Sequence, residues 1–172
     1  MRKIILYIAC SLDGYIARSD GSVDWLFTDQ DYGYTAFLAS VDTVVMGRKT
    51  YDQVLTFGPY PYAGKTSYVV SRSRAGTRDE HVVFVGSDIA GIVRRLREED
   101  GGKIWLVGGS ELIDLFVRER LIDEFIVSIH PVVLGSGIPL FRQPGIEIWL
   151  TLIRCEQFTS GLVQLTYDTR DT

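Results

Sequence analysis

The stretch Lys103–Ile113, KIWLVGGSELI, decides how the rest of the chain is read. Ile104, Trp105, Leu106 and Val107 form a short apolar run of the length of a buried strand. Gly108 and Gly109 follow at once. Ser110 stands where a helix N-cap belongs, ahead of Leu112, Ile113, Phe116 and Val117 at helical spacing. Two glycines between a strand end and a helix start let backbone approach a ligand with no Cβ in between. The helix aims its unpaired N–H groups and the positive end of its dipole at the same place, which suits a phosphate. A tight strand–helix turn with no ligand explains the same residues equally well.

Working outward, the same alternation recurs toward the N-terminus. Lys3–Cys10 reads as a buried strand, followed by the turn Ser11–Gly14, a short apolar return at Tyr15–Ala17 and a loop at Ser19–Ser22. Asp31–Ala39 reads as a helix, with Tyr34, Phe37 and Leu38 on one face. Thr43–Met46 is a buried strand that Gly47–Thr50 turns into a helix reaching Val54. Strands are expected at Ser67–Ser71 and Val82–Val85, then a helix with Ile89, Ile92, Val93 and Leu96 inward and Arg94, Arg95 and Arg97 in solvent. After the central unit only strands are expected: Glu124–Leu134, Glu147–Phe158 and Leu162–Asp168, the last two closing as a hairpin over Thr159–Gly161. This order implies an α/β fold, a mixed, mostly parallel sheet flanked by helices with a C-terminal antiparallel hairpin. Ligands of such sheets gather at the carboxyl ends of the strands. Three of those ends, Gly47–Thr50, Ser71–Arg74 and Gly108–Glu111, are polar or glycine-rich, which strengthens the phosphate reading.

Composition narrows the function classes. The 172 residues are 46% hydrophobic and 23% charged, an ordinary globular balance for one domain over 1–172. A formal charge of −4 offers no basic field for nucleic acid or an anionic membrane. Cys10 and Cys155 lie far apart, and His81 and His130 are the only histidines, so neither a disulfide framework nor a metal site is expected. A reducing cytoplasm is the expected compartment. The start MRKIILYIAC superficially resembles a lipoprotein signal, but its apolar run is short and is read as the first strand. No segment is long and apolar enough for a membrane helix.

Other motifs fail on spacing. Gly58–Thr66 imitates a P-loop, yet five residues separate Gly58 from Gly64 and a strand follows. The G-x-G-x-x-G dinucleotide fingerprint is absent, and no serine–histidine–acid arrangement is readable. His130, before Pro131 in a strand-like run, reads as structural.

At this point a resemblance takes hold. Val44–Tyr51, VVMGRKTY, resembles the strand–turn–helix signature of dihydrofolate reductases. Tyr68–Ser73, YVVSRS, resembles that family's next cofactor strand, and Leu106–Gly109, LVGG, its double-glycine turn. Ser11–Ala17, SLDGYIA, is closer to the reductase domain of bacterial riboflavin-biosynthesis deaminase–reductases. The chain is identified as a member of the dihydrofolate-reductase-like superfamily, which implies hydride transfer from NADPH. Carried over by position, the resemblance implies that Ala9 and Ile16 line the nicotinamide. Gly47 admits close approach, and Arg48, Lys49 and Thr50 hold phosphate oxygens. Ser71 and Arg72 take the adenosine 2′-phosphate, while Gly108, Gly109, Ser110, Glu111 and Leu112 cradle the pyrophosphate. The Glu111 carboxylate then has to point away from that phosphate. The glycine pair is typically joined by a cis peptide in this family.

The substrate half departs from both patterns. Asp31 falls at the place of the pterin-binding acid and is the candidate catalytic residue, with Asp29 or a plain helix-cap role for Asp31 left open. Val127 stands where a supporting threonine is usual, and Lys65 falls near a glutamate-binding arginine. Tyr15 replaces the lysine after the SLDG turn, and Val54–Phe57 replaces the Asp-Asp-Pro of the riboflavin reductases. Tyr32, Tyr34, Tyr60 and Tyr62 are candidates for stacking on a ring. The expectation is an NADPH-dependent reductase of a small heterocycle or carbonyl compound, resembling dihydrofolate reductase and 5-amino-6-(5-phosphoribosylamino)uracil reductase. A non-catalytic nucleotide-binding module is the alternative. The apolar strands Ile146–Ile153 and Leu162–Tyr167 lead to the expectation of a homodimer.

Overall fold

The structure, a computed structural model, describes residues 1–142 and 145–169. Of the domain expected over 1–172, positions 143–144 and 170–172 lie outside the described residues. The elements in order are β1 (Ile4–Ser11), β2 (Tyr15–Ala17), α1 (Tyr34–Ala39), β3 (Val41–Gly47) and α2 (Arg48–Val54), which runs into a 3-10 turn at Leu55–Phe57. Next come β4 (Thr66–Val70), β5 (Val83–Val85), α3 (Ile89–Glu98), β6 (Lys103–Gly108) and α4 (Ser110–Arg118). The chain closes with β7 (Glu124–His130), β8 (Ile138–Pro139), β9 (Leu150–Gln157) and β10 (Val163–Thr169).

Eight strands form one sheet in the order β5-β4-β3-β6-β1-β7-β10-β9. The first six run parallel, and β10 and β9 are antiparallel. This is the mixed, mostly parallel sheet with a terminal hairpin that the pattern implied. The near-continuous apolar run of β1 has a direct cause: β1 lies between β6 and β7 and is covered on both faces. Ile4 and Leu6 pack with Leu96 of α3 and Ile113 and Phe116 of α4. Ile5 packs on the other face with Phe37 of α1 and Tyr51 of α2.

Several boundaries differ from the sequence reading, each for a local reason. The first helix starts at Tyr34 rather than Asp31, because Tyr32 (φ 53°) and Gly33 (φ 80°) are left-handed. β7 stops at His130 rather than Leu134, since Pro131 has no N–H to continue the ladder. Two residues further on in this loop, Ile138 and Pro139, pair instead with β2, a small second sheet with no signal in the sequence. Arg97 is not turned to solvent: Nη2 donates to Asp123 at 2.7 Å and to the Leu121 carbonyl at 3.0 Å. Tyr60 and Tyr62 are buried core residues, packed edge to face, and Tyr62 meets Trp105 in the same way, so neither is presented for stacking on a ligand. Among the described residues no helix is long and apolar enough to cross a membrane.

The Ser11–Gly14 turn is held from outside. Ser11 Oγ donates to Asp13 Oδ1 at 2.6 Å, and the Asp13 carboxylate accepts the N–H groups of Leu134 (3.1 Å) and Gly135 (2.8 Å). These bonds, the serine hydroxyl first, hold its carboxyl below the usual range.

Candidate active site

β3, β4 and β6 are parallel neighbours, so Gly47, Ser71 and Gly108 emerge on one edge of the sheet. The approach is close. A Cβ on Gly47 would lie 3.7 Å from the Gly108 carbonyl oxygen and from the Gly109 nitrogen, and one on Gly109 would lie 3.3 Å from Thr50 Oγ1. Gly108 has φ +120°, a backbone that side chains rarely adopt, and the Gly108–Gly109 peptide is cis. The N-cap of α4 is Gly109, not Ser110. Ser110 is buried as the first helical residue, and its hydroxyl donates to the Pro139 carbonyl at 2.6 Å. What remains for a ligand is its N–H, with that of Glu111, at the start of a nine-residue helix. Leu112 is buried beneath the turn. The Glu111 carboxylate lies 3.6 Å from Lys49 Nζ and 3.3 Å from Arg142 Nη1, on the exposed surface.

The cationic residues gather next to this edge. Arg48 is held by Asp52 at 2.8 Å, one helical turn on, with its guanidinium 5.8 Å from the centre of the Phe84 ring. Arg74, which lay in a polar strand end but was not singled out, covers the same ring at 3.7 Å. Ser71 is buried with its N–H on the Val85 carbonyl, and Arg72 beside it is exposed. Lys49 is exposed, and its surface pair with Glu111 contributes little to stability.

On the other side of β6 the register defines a second group. Ala9 pairs with Ser128 and Ser128 with Gln164, which puts their side chains on one face of three adjacent strands. Tyr7, two residues before Ala9, shares that face. Gln164 Nε2 donates to Ser128 Oγ at 2.9 Å, and lies 3.3 Å from both the Tyr7 hydroxyl and the Tyr32 carbonyl. Val127 lines an apolar cleft on the opposite face with Cys10, Phe125 and Leu165, and Ser128, not Val127, shares the face of Ala9. A one-residue offset in a strand reverses the face. Ile16 packs against the cluster beneath α3 and α4 rather than on the Ala9 face.

Asp31 is exposed and its carboxylate accepts the backbone N–H of Thr35 at 3.1 and 3.2 Å, with the Thr35 hydroxyl on the same oxygen. That is the helix-cap alternative in structural form. Asp29 accepts the Tyr32 hydroxyl at 2.6 Å, a bond that holds its carboxyl below the usual range. Lys65 donates to the carbonyls of Leu38 (2.8 Å) and Val41 (2.6 Å) and closes the end of α1. His130, buried, packs against Trp25 and Phe27.

The sequence profile of the RibD C-terminal domain matches residues 2–164. The Bacillus subtilis (strain 168) protein YwjB, itself uncharacterized, is 48% identical over 170 residues, covering 96% of this chain and 97% of YwjB. A crystal structure from Shewanella sp. PV-4, named for riboflavin biosynthesis, superposes with a TM-score of 0.88 at 32% identity, covering 98% and 99% of the two chains. Dihydrofolate reductase from Enterococcus faecalis, in a complex with NADP(H), shares the fold, with a TM-score of 0.70 at 16% identity over 98% and 97%. With this sheet, this glycine edge and these relatives, the chain belongs to the RibD C-terminal domain family and has the fold of dihydrofolate reductase.

Proposed function

We propose that the chain is an NADPH-dependent reductase that delivers hydride to a C=N or C=O bond of a small heterocyclic or carbonyl compound. The observation that supports it most is the close backbone approach of Gly47 and Gly109 beside the α4 N-terminus, where an added Cβ would lie 3.7 Å from the Gly109 nitrogen and 3.3 Å from Thr50 Oγ1 respectively. The residues present fit a dinucleotide. The N–H groups of Ser110 and Glu111 would take the pyrophosphate, and Arg48, Ser71 and Arg72, with Arg74 beside them, the 2′-phosphate. The bound cofactor supplies hydride. The protein's part is to hold the two reacting faces together and exclude water, with Ala9 small enough to let a ring lie flat. The setting we propose is cytoplasmic, consistent with two free cysteines, and the partner a small molecule rather than nucleic acid or membrane.

The test is a titration. Replacing Arg48 and Arg72 with alanine is expected to weaken NADPH binding by at least tenfold and NADH binding much less, because charge-assisted bonds to phosphate are the strong kind. Equal losses for both would remove the 2′-phosphate assignment. The position of Asp31, exposed and committed to α1, favours one other reading, a nucleotide-binding module without catalysis. NADPH oxidation measured across dihydrofolate, the riboflavin-pathway intermediate and simple ketones separates the two: the module binds NADPH and oxidises none of it.

A further inference from the structure

We propose that Tyr7 is a catalytic residue of this reductase, donating the proton that accompanies hydride addition, with Gln164 as its positioning residue. The proposal rests on the reductase reading above. It starts from the carboxylates. Asp31 and its alternative Asp29 are both exposed; both Asp31 oxygens accept from Thr35, and Asp29 Oδ1 accepts the Tyr32 hydroxyl. On the face that carries Ala9, β1 has two protic side chains, Tyr7 and Ser11, each two residues away. The Ser11 hydroxyl is committed to Asp13 at 2.6 Å and to the Tyr15 N–H at 2.9 Å, which leaves Tyr7.

Its ring is fixed. It stacks on Phe37 at 4.3 Å and 13°, with Trp105 edge-on at 6.2 Å and Tyr34 tilted at 6.2 Å. Its hydroxyl is not fully engaged. It reaches the Tyr32 carbonyl at 3.4 Å and Gln164 Nε2 at 3.3 Å, both at the outer limit of a hydrogen bond. Gln164 is buried and anchored on Ser128 at 2.9 Å, and its amide nitrogen also lies 3.3 Å from both the phenol oxygen and the Tyr32 carbonyl, which hold it beside Tyr7. The titratable neighbours are Tyr34 on α1, Asp31 just before it and Glu156 on β9; β6 presents Trp105, β7 Ser128 and β10 Gln164. Burial is the largest influence and pushes the Tyr7 phenol up; hydrogen bonding to Gln164 and Ser128 works against it, the Asp31 and Glu156 carboxylates add to it, and the net upward direction keeps the proton in place throughout the neutral range.

The step balances as follows. The acceptor carbon gains a hydride from a reduced nicotinamide, the C=N or C=O π pair moves to the heteroatom, and that atom takes the proton as the Tyr7 O–H bond breaks. The phenolate, with Gln164 Nε2 donating to it, regains a proton from solvent. Charge on the phenol oxygen develops only in this step, so the glutamine bond strengthens when it is needed.

The experiment uses the full chain with NADPH and the best acceptor of the panel above. Tyr7→Phe keeps the ring on Phe37 and is expected to lower turnover about 100-fold, the usual scale for a general acid. NADPH affinity, read by tryptophan fluorescence, is expected to stay within about twofold. The wild-type rate is expected to be flat between about pH 6 and 9, and Gln164→Leu to lower turnover about tenfold and move the alkaline limb of the profile upward. Wild-type turnover in Tyr7→Phe overturns the assignment alone. So does a rate that falls between about pH 5 and 7, the profile of a carboxylic acid donor. A wild-type protein that binds NADPH and reduces no acceptor overturns the reductase reading and this assignment with it.

Discussion

Gly109 has an ordinary backbone, φ −83° and ψ −159°, that any residue adopts. What makes it special is the space beside it: a Cβ would sit 3.3 Å from Thr50 Oγ1, on the cradle side of the turn. Gly109→Ala is therefore expected to fold with a melting temperature near that of the parent. NADPH affinity is expected to fall by at least an order of magnitude, about 1.4 kcal/mol or more. Melting temperature and affinity measured on the same variant decide the matter, and normal binding would mean that the turn is only a turn. The glycine edge was legible in the sequence because each of its pieces announces itself: a strand end followed at once by glycine or a polar run. Tyr7, Ser128 and Gln164 were not. Each is a single residue in a different strand, and Gln164 meets Tyr7 across 157 positions of chain, so their grouping exists only through register. Asp31 shows the opposite case, a residue whose place in sequence and whose hydrogen bonds point to different roles.

Among the elements, the segment that leads into α1 depends on one imidazole. His130 Nε2 accepts the Phe27 N–H at 3.1 Å, with Trp25 edge-on at 5.1 Å. Burial holds this histidine below its ordinary value, so the folded state favours the neutral ring. The sign follows directly. The unfolded chain binds the proton more readily, so this contribution is complete above about pH 6.5 and is lost as pH falls from there toward the depressed folded value. Urea denaturation is expected to give about 1 kcal/mol less stability at pH 5.5 than at pH 7.5. Asp13, also depressed, titrates well below this window, and its contribution is lost only as pH falls through the acid range. The expected difference should vanish in His130→Gln, and the Phe27 amide's protection factor, taken against the intrinsic exchange rate at each pH, should fall at the lower pH in the parent alone. At this scale strand and helix identities were readable from periodicity, and ends were less so. Pro131 marks the stop of β7 openly, whereas nothing in the sequence marks Tyr32 as left-handed or Ile138–Pro139 as a strand.

For the whole molecule, sheet order leaves β9 as an edge strand, with Leu152 and Ile153 more than half exposed. The apolar cleft formed by Phe125, Val127, Leu165 and Tyr167 lies nearby. We propose that a second copy covers this end as a homodimer, since an open apolar edge invites pairing. Light scattering is expected to report a dimer at micromolar concentration and a monomer for Ile153→Lys, and a monomeric parent would overturn the proposal. The fold class was legible because strand–helix alternation leaves few topologies, but the position of β1 in the middle of the sheet was not.

That central position has a consequence for how the protein is made. β1 is synthesised well before its partners β6 and β7, which begin at Lys103 and Glu124. Until they emerge, an eight-residue apolar ribbon waits with both edges unpaired, a state open to wrong associations. A fragment ending at Glu99 is expected to show no cooperative urea transition. Synthesis must pass Lys103 before β1 has any neighbour to pair with.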